Sequence, residues 1–466
     1  MNWVNFLYIY QPSIQKPNII QRVMDESYRP IFDILINNPT YKMNINMNSG
    51  LTDLILKNKG DDIIEKIKTL LNRKQIEITD TAAFQAFLPI LPQSEIIRQI
   101  ELNHSMHQNI FGSSYNPKGF FSPSLAYSED LFQIIKILGY KWIILDENTL
   151  NEKIDPSVIY THNGLEVYIR DRERSFSILS SQYDGTETLV TNLKTNLKEK
   201  QYFVTAMDGE TFGHHKLNFE KTLEDLYAYN GIQSYLISEI PNIIKEKKEI
   251  IPKESTWIIP LKTETNVFER WYNPKNKIQK KQYQLIKLAI NLIENSKYKI
   301  DDPIITKIQP DYLTSEQRTW IKARYLLDSA LFQDQLFYSS AKPTWNIEFI
   351  EYGAYLLNKA IHLTLDVSKK NKDISQEYYE YILFTALEWQ KSKKIQKIIE
   401  GFFEDEKIPE EISSPKLHLQ GYIDAIKRLK LEMEKAKKVE DYETCQSLKE
   451  RIIDIKNKKE NFKLEQ

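Results

Sequence analysis

The feature that most constrains this chain is a change of period partway along it. Up to about residue 276, short apolar runs alternate with amphipathic stretches; beyond that point only helical periodicity remains. The runs "WVNFLYIY" (3–10), "KMNINM" (42–47), "QIEIT" (75–79), "GFF" (119–121), "WIIL" (142–145) and "YFVTAM" (202–207) have the length and apolar content of buried strands. Between them, "IIQRVMDESYRPIFDILINN" (19–38) and "LTDLILKNKGDDIIEKIKTLLNRK" (51–74) carry one apolar face at helical spacing. Strand, helix, strand in this rhythm predicts an α/β fold: a parallel sheet with helices over its outer face. Closed into a barrel, such a sheet presents its functional groups at the C-terminal strand ends.

The second half predicts a different architecture. "KKQYQLIKLAINLIEN", "SEQRTWIKARYLLDSALFQDQLFYSS", "NIEFIEYGAYLLNKAIHLTLDV" and "SQEYYEYILFTALEWQKSKKIQKIIEGFF" read as helices of one subdomain over 277–404, after a barrel over 1–276. The charged, proline-containing stretch that begins "DEKIPEEISSPK" predicts a linker over 405–420. Over 421–460, apolar residues at Ile426, Leu429, Met433 and Ala436, then Tyr442, Cys445, Leu448 and Ile452, predict an α-hairpin broken near "KKVED".

Charge and cysteine content narrow the functional classes. Lys and Arg total 63 against 64 Asp and Glu, which argues against a sequence-independent nucleic-acid binder. Cys445 is the single cysteine, so neither an intramolecular disulfide nor a cysteine-based zinc site is available. The opening "MNWVNFLYIYQPS" lacks the basic and small-residue features of a signal peptide, and no uncharged apolar stretch is long enough to span a membrane. The expectation is a cytoplasmic protein with no membrane or nucleic-acid partner. Aromatic residues reach 12%, with 27 Tyr and 7 Trp; such rings stack on sugars, though Tyr also fills cores.

Six segments, in order, resemble glycoside hydrolase family 57. They are "YIYQP" (8–12), "MNINMNSGLTDLIL" (43–56), "KQIEITDTAAFQAFLPILP" (74–92), "GFFSPSLAYSEDLFQIIKILGYKWIILDE" (119–147), "TAMDGETFGHH" (205–215) and "FYSSAKPTWNIEFIEYGAYLL" (337–357). The resemblance covers roughly residues 1–400. It implies an incomplete seven-stranded (β/α) barrel, a helical subdomain completing a cleft, α-glucan substrates, and a retaining mechanism without metal or cofactor. That mechanism sets two carboxyl groups about 5 Å apart, one attacking the anomeric carbon and one serving as acid and then base. Asp208 matches the acid/base, and Glu210 matches a residue that contacts substrate.

The departures from the family pattern fall on the chemistry. Ser124 stands where the resemblance implies the nucleophilic Glu, and a hydroxyl without an adjacent base is a poor substitute. Tyr8 and Tyr10 replace histidines of the opening motif, Gln85 replaces another, and Thr344-Trp345 replaces an aromatic pair. The frame residues Pro12, Pro89, Pro123, Tyr127 and Pro343 match. The resemblance therefore implies a catalytically impaired or inactive homologue that still binds saccharide through Tyr10, Gln11, Gln85, Glu210 and Trp345. One alternative is an active hydrolase or transferase that uses Asp208 with a relocated carboxylate such as Asp80, at the end of "QIEIT". Another is a pure interaction scaffold.

Three further features have structural or functional readings. His104 and His107 share a helix face and raise the thought of a metal-dependent deacetylase; solvated helix histidines are the plainer reading. His214 and His215 are adjacent, point different ways, and are expected to hydrogen-bond and not to chelate. Residues 423–456 resemble the UVR motif at Leu429, Met433, Ala436, Asp441-Tyr442-Glu443, Leu448 and Arg451-Ile452. A lone hairpin buries too little apolar surface to stand alone, which predicts a protein partner or self-association through 421–460.

Overall fold

The computed structural model describes residues 1–181, 185–198, 200–260, 264, 266–300 and 313–405, with isolated positions between 430 and 456. The expected linker and hairpin fall almost wholly outside the described residues. Among the described residues ten strands follow in chain order: β1 (Asn2–Ile9), β2 (Met43–Met47), β3 (Ile76–Ile78), β4 (Gly119–Phe121), β5 (Trp142–Asp146), β6 (Ile159–His162), β7 (Leu165–Arg170), β8 (Tyr202–Asp208), β9 (Gln233–Ser234) and β10 (Lys247–Glu249).

Seven of these strands form a ring of parallel neighbours. β1 runs between β8 and β2, with Tyr8 level with Asp208 on one side and Asn46 on the other. β2 pairs β3, β4 pairs β5, and β5 pairs β7. Two seams close the ring narrowly. β7 meets β8 at Arg170 and Val204, and β3 meets β4 through a parallel bridge between Asp80 and Phe120. At that bridge Asp80 N–H donates to Gly119 O at 3.0 Å, and Phe121 N–H donates to Asp80 O at 2.9 Å. The ring order is β1-β2-β3-β4-β5-β7-β8, a (β/α) barrel of seven strands.

The strand runs read from the sequence fall on β1, β2, β3, β4, β5 and β8. The seventh barrel strand, β7, was not among them, nor was its antiparallel partner β6. The signal was present: Asn163-Gly164 separates "VIYTH" from "LEVYIR", and both turn residues take positive φ (47° and 84°), the geometry of a two-residue hairpin.

The helices cover the ring as their periodicity requires. The 19–38 stretch is helical from Pro17 to Asn37 but contains a π-turn over Met24–Tyr28. The 51–74 stretch breaks into Ser49–Lys57 and Asp61–Asn72 around Lys59, which has φ 60°, and Gly60. From Lys277 the described residues lie mainly in helices: Lys277–Glu294, Ser315–Ala330, Asp334–Ser339, Ile347–Leu363, Lys369–Lys391 and Lys394–Asp405. Polar caps start several of these, including Asn276, Asn346, Ser368 and the Thr314/Gln317 capping box. One hydrophobic core runs through both halves, joining Phe87, Leu131, Ile143 and Val167 to Leu285, Trp320, Leu327 and Leu357. Among the described residues no helix is long and apolar enough to cross a membrane.

Candidate active site

The C-terminal ends of β1, β4 and β8 converge beneath the 334–339 helix around a cavity of about 350 Å³. Tyr8, Tyr10, Gln85, Ser124, Asp208 and Glu210 all line it. Segments far apart in sequence therefore meet where a barrel presents its functional groups. A larger depression of about 1000 Å³, between the 147–156 loop and the 253–260 strap, contains none of the expected site residues.

Asp208 ends β8 with its carboxylate partly open to solvent, the side chain 39% exposed. Its Oδ1 accepts from Glu210 N at 2.7 Å, and His215 Nε2 stands 3.4 Å from Oδ2. Burial opposes ionisation here, but the hydrogen bonds from Glu210 and His215 outweigh it and hold the carboxyl below its ordinary pKa. Glu210 lies deeper, only 2% exposed. Its Oε1 accepts from Tyr10 N at 2.9 Å and from the Tyr28 hydroxyl. Burial, and then the charge of Asp208, push the Glu210 carboxyl well above its usual range. The two neighbours are thus pushed apart, Asp208 toward its ionised form and Glu210 toward its protonated one.

The surrounding backbone has the irregularities that put these groups in place. The π-turn over Met24–Tyr28 brings Tyr28 to Glu210, while Glu26 Oε2 reaches His214 Nδ1 at 2.7 Å. Gly213 has φ 105°, and a Cβ there would sit 1.7 Å from the Glu26 carbonyl oxygen, so only glycine lets the "GETFGHH" turn pack on that helix. His214 and His215 serve as hydrogen-bonding groups on Glu26 and Asp208 respectively.

At the position where the resemblance implies a nucleophile, Ser124 and the following Leu125 both have positive φ, 61° and 51°. Consecutive left-handed residues without glycine are costly and persist where surrounding contacts impose them. Here Trp257 N–H donates to Ser124 O at 3.0 Å. The Ser124 hydroxyl donates to Gln333 Oε1 at 2.8 Å, and Gln333 N–H donates to Gln85 O at 3.0 Å. The hydroxyl is engaged by an amide, and among the described residues no base is bonded to it.

A carboxylate that the sequence reading missed completes the site. Asp334, at the first turn of the 334–339 helix, lines the same cavity, and the Tyr10 hydroxyl donates to its Oδ2 at 2.9 Å. Burial raises its pKa to about 6, against the lowering effect of Tyr10. Nothing in "ALFQDQLFYSS" marks Asp334 as different from any solvated helix acid; its place depends on how the helical part folds back over the barrel.

Four expected features take other positions. Trp345 packs on Trp389 between the helices of the second half, ring centroids 6.0 Å apart, and is not among the residues lining the cavity. Gln11, the sequence neighbour of Tyr10, is buried, accepts from Gln15 Nε2 at 2.9 Å, and does not line the cavity either. Asp80 is fully buried in the barrel wall, where its carboxylate accepts from Asn103 at 2.7 Å and from Tyr140 at 2.7 Å and pairs with His104 at 2.8 Å. Those partners lie outside the ring, so Asp80 anchors a helix to the β3–β4 seam and has no access to the cavity. His104 and His107 are not solvated helix histidines. His104 is half-buried on Asp80, and His107 is fully buried, with Nε2 2.8 Å from Thr52 Oγ1. Among the described residues no group of three or more His, Cys, Asp or Glu is placed to hold a metal ion.

Comparison with known proteins gives a consistent picture. A sequence model of glycosyl hydrolase family 57 matches residues 2–253, more than half of the chain. An α-amylase of Pyrococcus horikoshii is 22% identical over 233 residues, covering 47% of this chain and 36% of that protein. An α-amylase of Dictyoglomus thermophilum is 25% identical over 138 residues, covering 30% of this chain and 20% of that protein. The chain therefore spans only a minor part of the length of the curated relatives it matches. Among solved structures, a branching enzyme of Thermococcus kodakaraensis aligns with a TM-score of 0.62 at 14% identity, covering 82% of this chain and 94% of that one.

Proposed function

Because the chain belongs to glycosyl hydrolase family 57, we propose that its barrel-mouth cavity binds an α-glucan or related oligosaccharide and that the retaining, double-displacement reaction is lost. The observation that carries this reading is Ser124. Retention needs a carboxylate close to the acid/base to form the glycosyl ester, and this position supplies a hydroxyl tied to Gln333. The binding half of the proposal rests on what persists: a cavity of about 350 Å³ with polar groups at its rim and aromatic rings in its walls, the composition that sugar recognition uses. Relatives named as amylases support α-glucan as the ligand class. Asp80 does not rescue the chemistry, since it is sealed in the barrel wall. A protein partner engaging 421–460 is compatible with this reading and adds a scaffold role.

Calorimetric titration with maltoheptaose, alongside product analysis of wild type and Asp208→Asn, tests it. Binding without a covalent glycosyl enzyme is expected. Absence of any saccharide binding overturns the reading in favour of a pure interaction scaffold.

A further inference from the structure

We infer that a row of aromatic rings on the helical half, Tyr338, Phe349, Tyr352, Tyr355 and Tyr379, is a second binding surface that carries an α-glucan chain outward from the cavity; the ligand class rests on the saccharide-binding reading above. The row begins at the cavity, where Tyr338 lines the wall. Tyr338 stacks on Phe349, with ring centroids 5.1 Å apart and planes 23° apart. Phe349 and Tyr352 both rest on the buried Phe332, at 6.3 and 6.5 Å, so one core side chain supports two rings of the row. Tyr355 follows one i+3 step further, and its ring stands 6.5 Å from Tyr379 of the Lys369–Lys391 helix.

Helix geometry explains the line. Phe349, Tyr352 and Tyr355 recur every third residue in Ile347–Leu363, which puts them on one slanting ridge, each about 4.5 Å further along the axis. The first ring of that ridge meets the Asp334–Ser339 helix through Tyr338, and the last meets Lys369–Lys391 through Tyr379. The same helix buries Ile350, Ala354, Leu357 and Ile361, while Tyr355 stays 39% exposed and Phe349 and Tyr352 are half-buried. Single exposed rings are ordinary, whereas a continuous run of them leading out of a cavity marks an interaction surface. Tyrosine offers a ring face for apolar contact and a hydroxyl for hydrogen bonding, the pairing that a glucosyl unit presents in return. Among the described residues no hydrogen bond of the chain engages the Tyr352 or Tyr355 hydroxyl, and the Tyr379 hydroxyl donates to Glu351 Oε1 at 2.6 Å. The charges in contact with the outer end of the row, Glu351 on Tyr379 and Lys359 at 5.4 Å from the Tyr355 centroid, have opposite signs. That balance suits an uncharged polymer and gives no pull on a polyanion.

The test compares a short and a long ligand on the full chain, with maltose probing the cavity and soluble amylose probing cavity and row together. Wild-type protein is expected to bind amylose more tightly than maltose in calorimetric titration. The double variant Tyr352→Ala/Tyr355→Ala is expected to lose about tenfold in amylose affinity, two ring contacts' worth, and less than twofold in maltose affinity. Retained maltose binding shows that the variant is folded. Tyr355→Phe, which keeps the ring, should lose less than the alanine change at that position. Phe384→Ala, which removes a 63% exposed ring outside the row, should alter neither affinity. Amylose bound no more tightly than maltose by the wild type, unchanged amylose affinity in the double variant, or an equal loss from Phe384→Ala would each overturn the row. Those outcomes leave saccharide binding in the cavity intact, whereas wild-type protein that binds neither ligand removes both readings.

Discussion

Ser124 shows how much of a site a single residue decides. Its backbone already adopts the left-handed conformation, so Glu at this position meets the same φ penalty of about 1–2 kcal/mol that Ser meets now. Ser124→Glu is therefore expected to fold, to yield product of retained configuration, and to exceed wild-type turnover of maltoheptaose by roughly 100-fold, or about 2.7 kcal/mol of barrier. Product configuration by NMR checks this. A second residue-scale prediction concerns His107, which is fully buried and whose pKa burial lowers from 6.5 to about 4. The folded protein refuses a proton that the unfolded chain accepts below about pH 6.5, so stability falls as the pH drops from there toward 4. His107→Gln removes that contribution, up to about 3 kcal/mol across the window. Urea midpoints at pH 7 and pH 4.5 should differ less in the variant than in wild type. At this scale the sequence identified Asp208, Glu210, Ser124, Tyr10 and Gln85 as neighbours, because each lies in a segment whose local pattern survives. It did not identify Asp334, whose neighbourhood exists only after the helical half has folded over the barrel.

Among the elements, the helix Gln93–Phe111 has the most to hold together. It faces the β3–β4 seam through Asn103 and His104 on Asp80, and it faces the helical half through Glu95 and Arg98. Arg324, from the Ser315–Ala330 helix, is 1% exposed and pairs with Glu95 and Asp328, while Arg98 Nη2 reaches Asp328 Oδ2 at 2.6 Å. Arg324→Met leaves the buried Glu95 carboxylate without its cation and Asp328 with Arg98 alone, and is expected to cost about 3–5 kcal/mol, read as a lower denaturant midpoint at unchanged slope. Periodicity found this helix, those within 19–38 and 51–74 and those of the second half, but not Glu129–Ile137, Arg172–Ser180, Thr186–Lys194 or Glu220–Ala228. It missed β6 and β7, where the helix-rich rhythm of the surroundings masked an Asn-Gly hairpin. It also gave no hint of the π-turn over Met24–Tyr28, since the buried positions Ile20, Val23, Met24, Tyr28, Ile31, Phe32 and Leu35 keep three- and four-residue spacing across it.

The described residues form a seven-stranded barrel whose C-terminal face is finished by a helical half. The change of period near residue 276 marks a change of secondary structure, while the hydrophobic core continues across it. A single calorimetric transition for both halves is expected, and two separated transitions would show the core to be divisible. The cavity belongs to both halves as well: Ser124 is bonded to Gln333 and Tyr10 to Asp334, so a saccharide in it would touch barrel and helices together. On the proposed reading the chain keeps this enclosure and the acid/base position while lacking the attacking carboxylate. Intact-mass measurement after incubation with a mechanism-based α-fluoroglycoside tests that most directly. The account predicts unmodified wild-type protein and a single glycosyl adduct on Ser124→Glu. A stoichiometric adduct on the wild-type protein would contradict it.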